Sequence, residues 1–383
     1  MKTYRVDFKP ISPYFFGNEK TFPYTGQKIG QHLSNAYYIK SEPMPSQTTV
    51  LGALRYLFLA HKNSKYAYTE AQFAKNAERV GAERFRIEKR EAQNFGIIQS
   101  ISPVFLYHNE YKILLPTPFD HNTKKEEEAK KEAESRNAGG NMEEKKLLFD
   151  YSPFENYHEV DIPDGKKLYT TDYDPKLGLT SSYMIWDQKK IVSADDIFSD
   201  ADRVGIAVEQ QKNAFFKKKY AMLAKGYRFS VYLTLSDDDA VKALKDSAGG
   251  AVTVFMGQGK SAFIVTFAEE ANALPTNADE LAQENLPDGC RKLYFMSDAL
   301  VSDSVELYGK TLFGVVKTKD YRAFGMTYHD DEEKNKVGSF QKEDTLYKLI
   351  AAGSVLITKN AEDVTKLFEN PNAKNIGWNQ ILK

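Results

Sequence analysis

At 383 residues the chain is long enough for two or three domains, and its 42% hydrophobic and 13% aromatic content supplies a substantial core. A formal net charge of −1 gives no overall attraction to nucleic acid, so any phosphate-binding surface must be a local basic patch. The single cysteine, Cys290, excludes an intrachain disulfide and a multi-cysteine zinc site and fits a reducing compartment. The first residues lack the apolar run of a secretion signal. No stretch approaches the roughly 18 apolar residues of a membrane span; the best, Val50–Ala60, is broken by Arg55. These features predict a cytoplasmic protein with no membrane partner.

Tyr4, Val6 and Phe8 alternate with Arg5, Asp7 and Lys9, the period of a half-buried strand. The Tyr/Gly-rich segment 10–45 is too long for an ordinary connector. Pro45 then marks a boundary, and Ser46 is placed to cap a helix with Val50, Leu54, Leu57 and Phe58 on one face. Ile97–Leu106 and Tyr111–Leu115 are expected strands, joined as a hairpin at His108-Asn109-Glu110. Between Lys124 and Lys146, 14 of 23 residues are charged, seven of each sign. Such a run cannot bury enough apolar area to offset its ordering entropy, so about 121–147 is expected to be a solvated insertion.

In the second half, Tyr227, Phe229, Val231, Leu233 and Leu235 alternate as a strand, followed by an acidic-capped helix at Asp237–Lys245. Ala251–Met256 and Ala262–Phe267 are expected strands, Asn277–Glu284 a helix and Lys292–Met296 a strand. That order, β-α-β-β-α-β, is the split arrangement of a ferredoxin-like domain. The fold class expected is therefore α+β: two ferredoxin-like domains with long insertions, at 1–195 and 196–383.

Gly257-Gln258-Gly259-Lys260-Ser261 looks like the end of a phosphate-binding P-loop, but position 254 is Val where that motif needs Gly, and a strand follows instead of a helix. The segment is a glycine-rich hairpin tip. Its bare amides and Lys260 could approach a nucleic-acid backbone, or its glycines could serve a tight turn alone. Lys260–Phe267 loosely follows the RNA-recognition strand pattern, yet the stacking positions hold Ala262 and Ile264. The acid-free stretch Gln210–Leu235 carries Lys212, Lys217, Lys218, Lys219, Lys225 and Arg228, interleaved with Phe215, Phe216, Tyr220 and Tyr227. Cations neutralise phosphates and aromatic faces accept unstacked bases, so this is the best single-strand RNA-binding stretch, or else a solvated surface above core aromatics. The helix start at Ser46, with Thr48, Thr49 and Arg55, offers a further anion site. The RNA-contacting residues expected are thus Ser46, Thr48, Thr49, Arg55, Lys212, Lys217, Lys218, Lys219, Arg228, Gly257, Gly259 and Lys260.

Nothing assembles into a catalytic or metal centre. His32, His61, His108, His121, His158 and His329 are scattered with no i, i+4 pair, and His329-Asp330-Asp331 lacks recognisable further ligands. Gly353-Ser354 falls in an expected β-hairpin, not a nucleophile elbow. No cofactor is assigned.

Several ordered blocks carry a resemblance. Pro10-Ile11-Ser12-Pro13-Tyr14-Phe15-Phe16 with Thr21-Phe22 and then Pro45–Arg55 form the first. Phe95–Ile98, Pro103–Leu106 and Leu115–Asp120 form the next, followed by Arg203–Ala207, Ala352–Val355 and Ile376–Asn379. Together they resemble the RAMP-superfamily third subunit of Cmr (type III-B) CRISPR effector complexes, with the type III-A counterpart as the close alternative. The resemblance implies two ferredoxin-like domains and a non-catalytic role in antiviral defence. It implies binding of the 5′ repeat-derived tag of the crRNA and bridging of the large polymerase-type subunit to the backbone subunit. The competing reading is a metal-independent RAMP endoribonuclease that processes precursor crRNA with His32 as general base.

The charged insertion yields a direct test. Replacing Lys124–Lys146 with a short Gly/Ser linker is expected to leave the unfolding midpoint nearly unchanged, because loop closure depends only slowly on length. A large drop would show that the insertion packs.

Overall fold

The computed structural model describes residues 1–17, 22–25, 35–60, 76–81, 84–89, 91–120, 158–162, 166–170, 181–188, 190–209, 212–248, 250–257, 260–276, 286 and 289–329 and 337–383. The charged insertion, His32, Gly259, the Asn277–Glu284 helix and Asp330-Asp331 lie outside them.

The chain is a mixed α+β protein dominated by sheet. Its largest sheet has nine strands, running Lys190–Ser193, Ser182–Ile185, Lys112–Pro116, Phe105–His108, Tyr227–Leu235, Lys2–Pro10, Ser261–Glu269 and Ala251–Met256, with Ile98–Ile101 also paired to Tyr227–Leu235. The alternation in Lys2–Pro10 does produce a strand, but at the middle of the sheet. Val6 lies opposite Val231 on one side and Phe267 on the other, both antiparallel.

One face of this sheet, here the inner face, carries Tyr4, Val6, Phe8, Phe229, Val231, Leu233, Phe263 and Val265, all buried. The helix Gln47–Ala60 covers it with Val50, Leu54, Leu57 and Phe58, which the 3.6-residue period places on one side. The helix Asp239–Ala248 adds Ala240, Val241 and Leu244 to the same core. Each Val, Leu or Phe among them taken from water contributes about 1.5–3 kcal/mol, which holds both helices down.

Three expectations need correction. The strand Ile97–Leu106 is split into Ile98–Ile101 and Phe105–His108. Pro103 lacks an N–H for the ladder, and at this break Ser102 and Tyr232 exchange bonds instead, the Ser102 amide to the Tyr232 carbonyl (2.8 Å) and the Tyr232 amide to Ser102 Oγ (2.8 Å). The strand Arg291–Phe295 does not close the sheet begun at Tyr227. It pairs with Val355–Thr358 and Ile381–Leu382 in a separate four-stranded sheet, because Lys2–Pro10 occupies the slot beside Tyr227–Leu235. Gly353-Ser354 is not a hairpin turn either: Tyr347–Ile350 pairs with Thr318–Tyr321, whereas Val355–Thr358 pairs with Arg291–Phe295.

The blocks that carry the resemblance meet one another in space. Gln47 Nε2 donates to the Ser102 carbonyl (2.5 Å) and its Oε1 accepts from the Val104 amide (3.0 Å). Gly377, at φ +88°, closes over this contact, where a Cβ would stand 2.3 Å from the Ser102 oxygen. The Phe119 amide donates to the Gly353 carbonyl (2.8 Å), and the Tyr294 hydroxyl donates to that of Pro116 (2.5 Å). Beside them Lys292 and Asp120 form an ion pair at 2.7 Å with both side chains fully buried. Burial pushes the Lys292 ammonium below its ordinary value, against the pull of Asp120.

Removing one member of such a pair strands a buried charge. Lys292→Met is expected to destabilise the fold by about 3–5 kcal/mol, and adding Asp120→Leu to recover most of that loss. Denaturant titration of both variants checks it; equal loss in single and double variants would show that the charges themselves hold the junction.

Candidate nucleic-acid interface

The segment Ile11–Phe16 threads between the glycine hairpin and the long basic strand. Its backbone bonds to Ala262 (Ile11 amide, 3.0 Å) and exchanges two 2.9 Å bonds between Tyr14 and Ala221. The Phe15 amide donates to Ser261 Oγ (3.2 Å) and the Phe16 amide to Ser41 Oγ (2.9 Å). Tyr14 and Phe16 point into the inner core against Phe229 and Phe263. Phe15 turns the other way, its ring edge-on to Tyr220 at 5.5 Å with Lys218 Nζ 5.8 Å above it.

The turn 257–260 is fixed against the same residue. Gly257 has φ +73°, and a Cβ there would lie 2.2 Å from the Phe15 carbonyl oxygen. Lys260, at φ +53°, is exposed at the tip, its amide donating back to the Gly257 carbonyl (3.3 Å). Glycine is therefore required at 257 by both backbone and space. The turn uses its glycine to seat Phe15.

The basic strand Lys212–Leu223 forms a hairpin with Phe198–Glu209. Its period of two separates the lysines. Lys217 and Lys219 share a face with acids: Lys217 pairs with Asp202 (2.8 Å), and Lys219 and Lys40 both reach Asp200 at 3.1 Å. Partial burial pushes the Asp200 carboxyl up, but these two lysines outweigh it and hold it below its ordinary range. Lys218 lies on the opposite face, opposite Arg203, whose guanidinium stands 4.5 Å over Tyr220. That face is cationic and aromatic. The acid-free appearance of 210–235 was thus only local, because the partner strand supplies Asp200 and Asp202.

The remaining expected residues stand apart from this junction. Ser46 Oγ caps the helix by accepting from the Thr49 amide (3.2 Å), and its hydroxyl is bonded to those of Thr49 (2.8 Å) and Thr48 (3.2 Å). Arg55 donates to the Gly81 carbonyl (2.7 Å), and burial lowers its pKa. Arg228 bonds Asn109, pairs with Asp7 (3.3 Å) and lies 4.8 Å over Tyr107. Lys212 falls in the strand, with its side chain outside the described residues. Phe15 and Arg203 are not distinguished in the sequence beyond the blocks that contain them. Their role depends on contacts from distant parts of the chain, and the only local signal was the unbroken Tyr14-Phe15-Phe16 run.

Fold and interface together define a sheet-rich α+β protein with a local cationic, aromatic face at Lys218, Arg203 and Tyr220. A family model described as CRISPR-associated protein (Cas_Cmr3) matches residues 7–383, and the chain belongs to that family. No curated protein matches the sequence. Similar solved chains include one in a cryo-EM structure of the type III-B Cmr-beta complex bound to cognate target RNA. It is 14% identical, covers 98% of this chain and 96% of that one, and has a TM-score of 0.45. A chain of the Csm3-Csm4 subcomplex of the type III-A interference complex is 10% identical over 93% of this chain and 92% of its own, at TM-score 0.33. These likenesses add nothing to the assignment, which rests on the family match. The resemblance read from the ordered blocks is borne out.

Left-handed backbone disfavours alanine by about 1–2 kcal/mol at any such position. Gly250, at φ +93° with open space around it, measures that cost alone. Gly257→Ala is expected to lower the unfolding midpoint distinctly more than Gly250→Ala, the difference reporting the Phe15 contact. Equal shifts would mean that the turn is not seated on Phe15.

Proposed function

We propose that this chain is the type III-B effector subunit that holds the 5′ repeat-derived tag of the crRNA and bridges the large polymerase-type subunit to the backbone subunit. It does so without catalysing a reaction, in the cytoplasm, with RNA and its neighbouring subunits as partners. In this reading the chain is two ferredoxin-like units, 1–195 and 196–383, each of which gives strands to the nine-stranded sheet. The observation that carries the proposal is the junction at Phe15, which joins the glycine turn to the face bearing Lys218, Arg203 and Tyr220. Cations beside the half-buried ring of Tyr220 suit an extended single strand, whose phosphates are held by charge and whose bases are unstacked.

The division of the lysines sharpens the test. Each phosphate contact on a single strand contributes roughly 0.7 to the slope of log affinity against log salt. Lys218→Ala with Arg203→Ala is expected to weaken guide-RNA binding and to lower that slope by roughly 1.4, two contacts. Lys217→Ala with Lys219→Ala is expected to do less, because those charges already face Asp202 and Asp200. Changing tag bases should matter less than removing Lys218 and Arg203, since phosphate contacts position without selecting sequence. The measurement is tagged-guide affinity across a salt series in the reconstituted subcomplex. An unchanged slope in the first double variant would remove this face from the RNA site.

A further inference from the structure

The sheet's outer face, away from the two helices, is uncovered among the described residues at the end beside the glycine turn. Strand register sets its composition. Phe255 lies directly opposite Ala262, and Ile11, whose amide bonds Ala262, continues the row across the next strand. The neighbouring row is Thr253, Ile264 and Lys9. Phe255 is 57% exposed, Ile11 55% and Ile264 38%, although a six-residue strand as apolar as Ala251–Met256 would ordinarily bury its aromatic.

Two exposed cations border this patch, whereas several lysines elsewhere are paired. Lys2, Lys40, Lys217, Lys219, Lys242 and Lys319 all face carboxylates. Lys9 and Lys260, which flank the patch, are exposed and have no carboxylate partner among the described residues. Asp7, the next acid along this face, is occupied by Arg5 (3.0 Å), Ser230 (2.7 Å) and Arg228 (3.3 Å). An apolar platform with an aromatic, bordered by two unneutralised cations, matches an unstacked base with phosphates on either side.

We propose that this patch is a second single-stranded RNA contact, with one base stacked on Phe255 over Ile264 and the flanking phosphates held by Lys9 and Lys260. The proposal rests on the tag-binding reading and extends it across the turn, from the Phe15 side to the Phe255 side. It also answers a gap in the strand pattern. Lys260–Phe267 lacks aromatics at Ala262 and Ile264, and the register supplies one from the adjacent strand, directly beside Ala262.

The test measures tagged-guide RNA affinity over a salt series with the full chain in its reconstituted subcomplex. Phe255→Ala is expected to weaken binding about tenfold with the salt slope unchanged, because a stacked base releases no counterions. Phe255→Trp is expected to retain affinity, with its fluorescence quenched by a single-stranded oligoribonucleotide. Lys9→Ala with Lys260→Ala should lower the slope by roughly 1.4. Ile264→Thr, which suits a strand, gives a second variant with a weaker loss should Phe255→Ala lower the unfolding midpoint. Wild-type affinity in Phe255→Ala, alongside weakened binding in Lys218→Ala with Arg203→Ala, would overturn the patch and leave the tag reading intact. Loss of a neighbouring subunit with RNA affinity unchanged would overturn it in favour of a protein interface. Absence of guide binding by the wild-type subcomplex would overturn both.

Discussion

Lys2–Pro10 is hydrogen-bonded along both edges, to Tyr227–Leu235 on one side and to Ser261–Glu269 on the other. The nine-stranded sheet and the helices packed on it depend on that insertion. A strand with two partners has no solvent-facing edge, and its polar side is buried at Asp7 and exposed at Lys9. Tyr4, Val6 and Phe8 meet the helices, and Arg5 and Asp7 meet Arg228, Ser230, Tyr107 and Glu270. The partners are also distant in sequence; Asp7 and Ser230 are 223 residues apart. Such pairing loses its loop-closure entropy before the contacts that offset it can form, which makes the central sheet a slow element to assemble.

Buried charge is treated consistently through the structure. Asp7 is held by two arginines and a serine hydroxyl, and both guanidiniums lie over Tyr107, at 3.9 Å and 4.8 Å. Asp120 and Lys292 are enclosed together where the Leu115–Asp120 block meets the C-terminal sheet. Asn372 performs the neutral equivalent: its amide donates to the Lys89 and Glu91 carbonyls at 3.0 and 2.9 Å, and its oxygen accepts from Gln93. Asp7, the Asp120–Lys292 pair and Asn372 each answer a specific partner, as burial in a low-dielectric interior demands. These contacts fix which segments can meet, and they place the Gly257 turn and the basic hairpin against one peptide, at Phe15.

That placement divides the molecule's cations by task. Most lysines lie beside acids and hold the surface together weakly, as exposed ion pairs do. Near the glycine turn Lys218 and Arg203 sit over rings, and Lys9 and Lys260 have no carboxylate partner among the described residues. A near-neutral chain can therefore present a cationic face locally, which its net charge of −1 does not reveal.

The sequence by itself determined what depends on neighbours a few residues away. Alternation in Lys2–Pro10 and Tyr227–Leu235 announced strands, and the 50, 54, 57, 58 spacing behind Ser46 announced the helix Gln47–Ala60. The Gly257–Ser261 connection announced a turn, and the ordered blocks announced the family. Tertiary structure decided everything that depends on which strand lies beside which. Alternation specifies that a strand has two faces but not what pairs with its edges, so the central position of Lys2–Pro10 and the separate sheet of Arg291–Phe295 were not legible. The same limit governs the interface. Which lysines face acids, why Gly257 must be glycine, and that Phe255 stands beside Ala262 are set by register between strands, and register is a property of the assembled sheet.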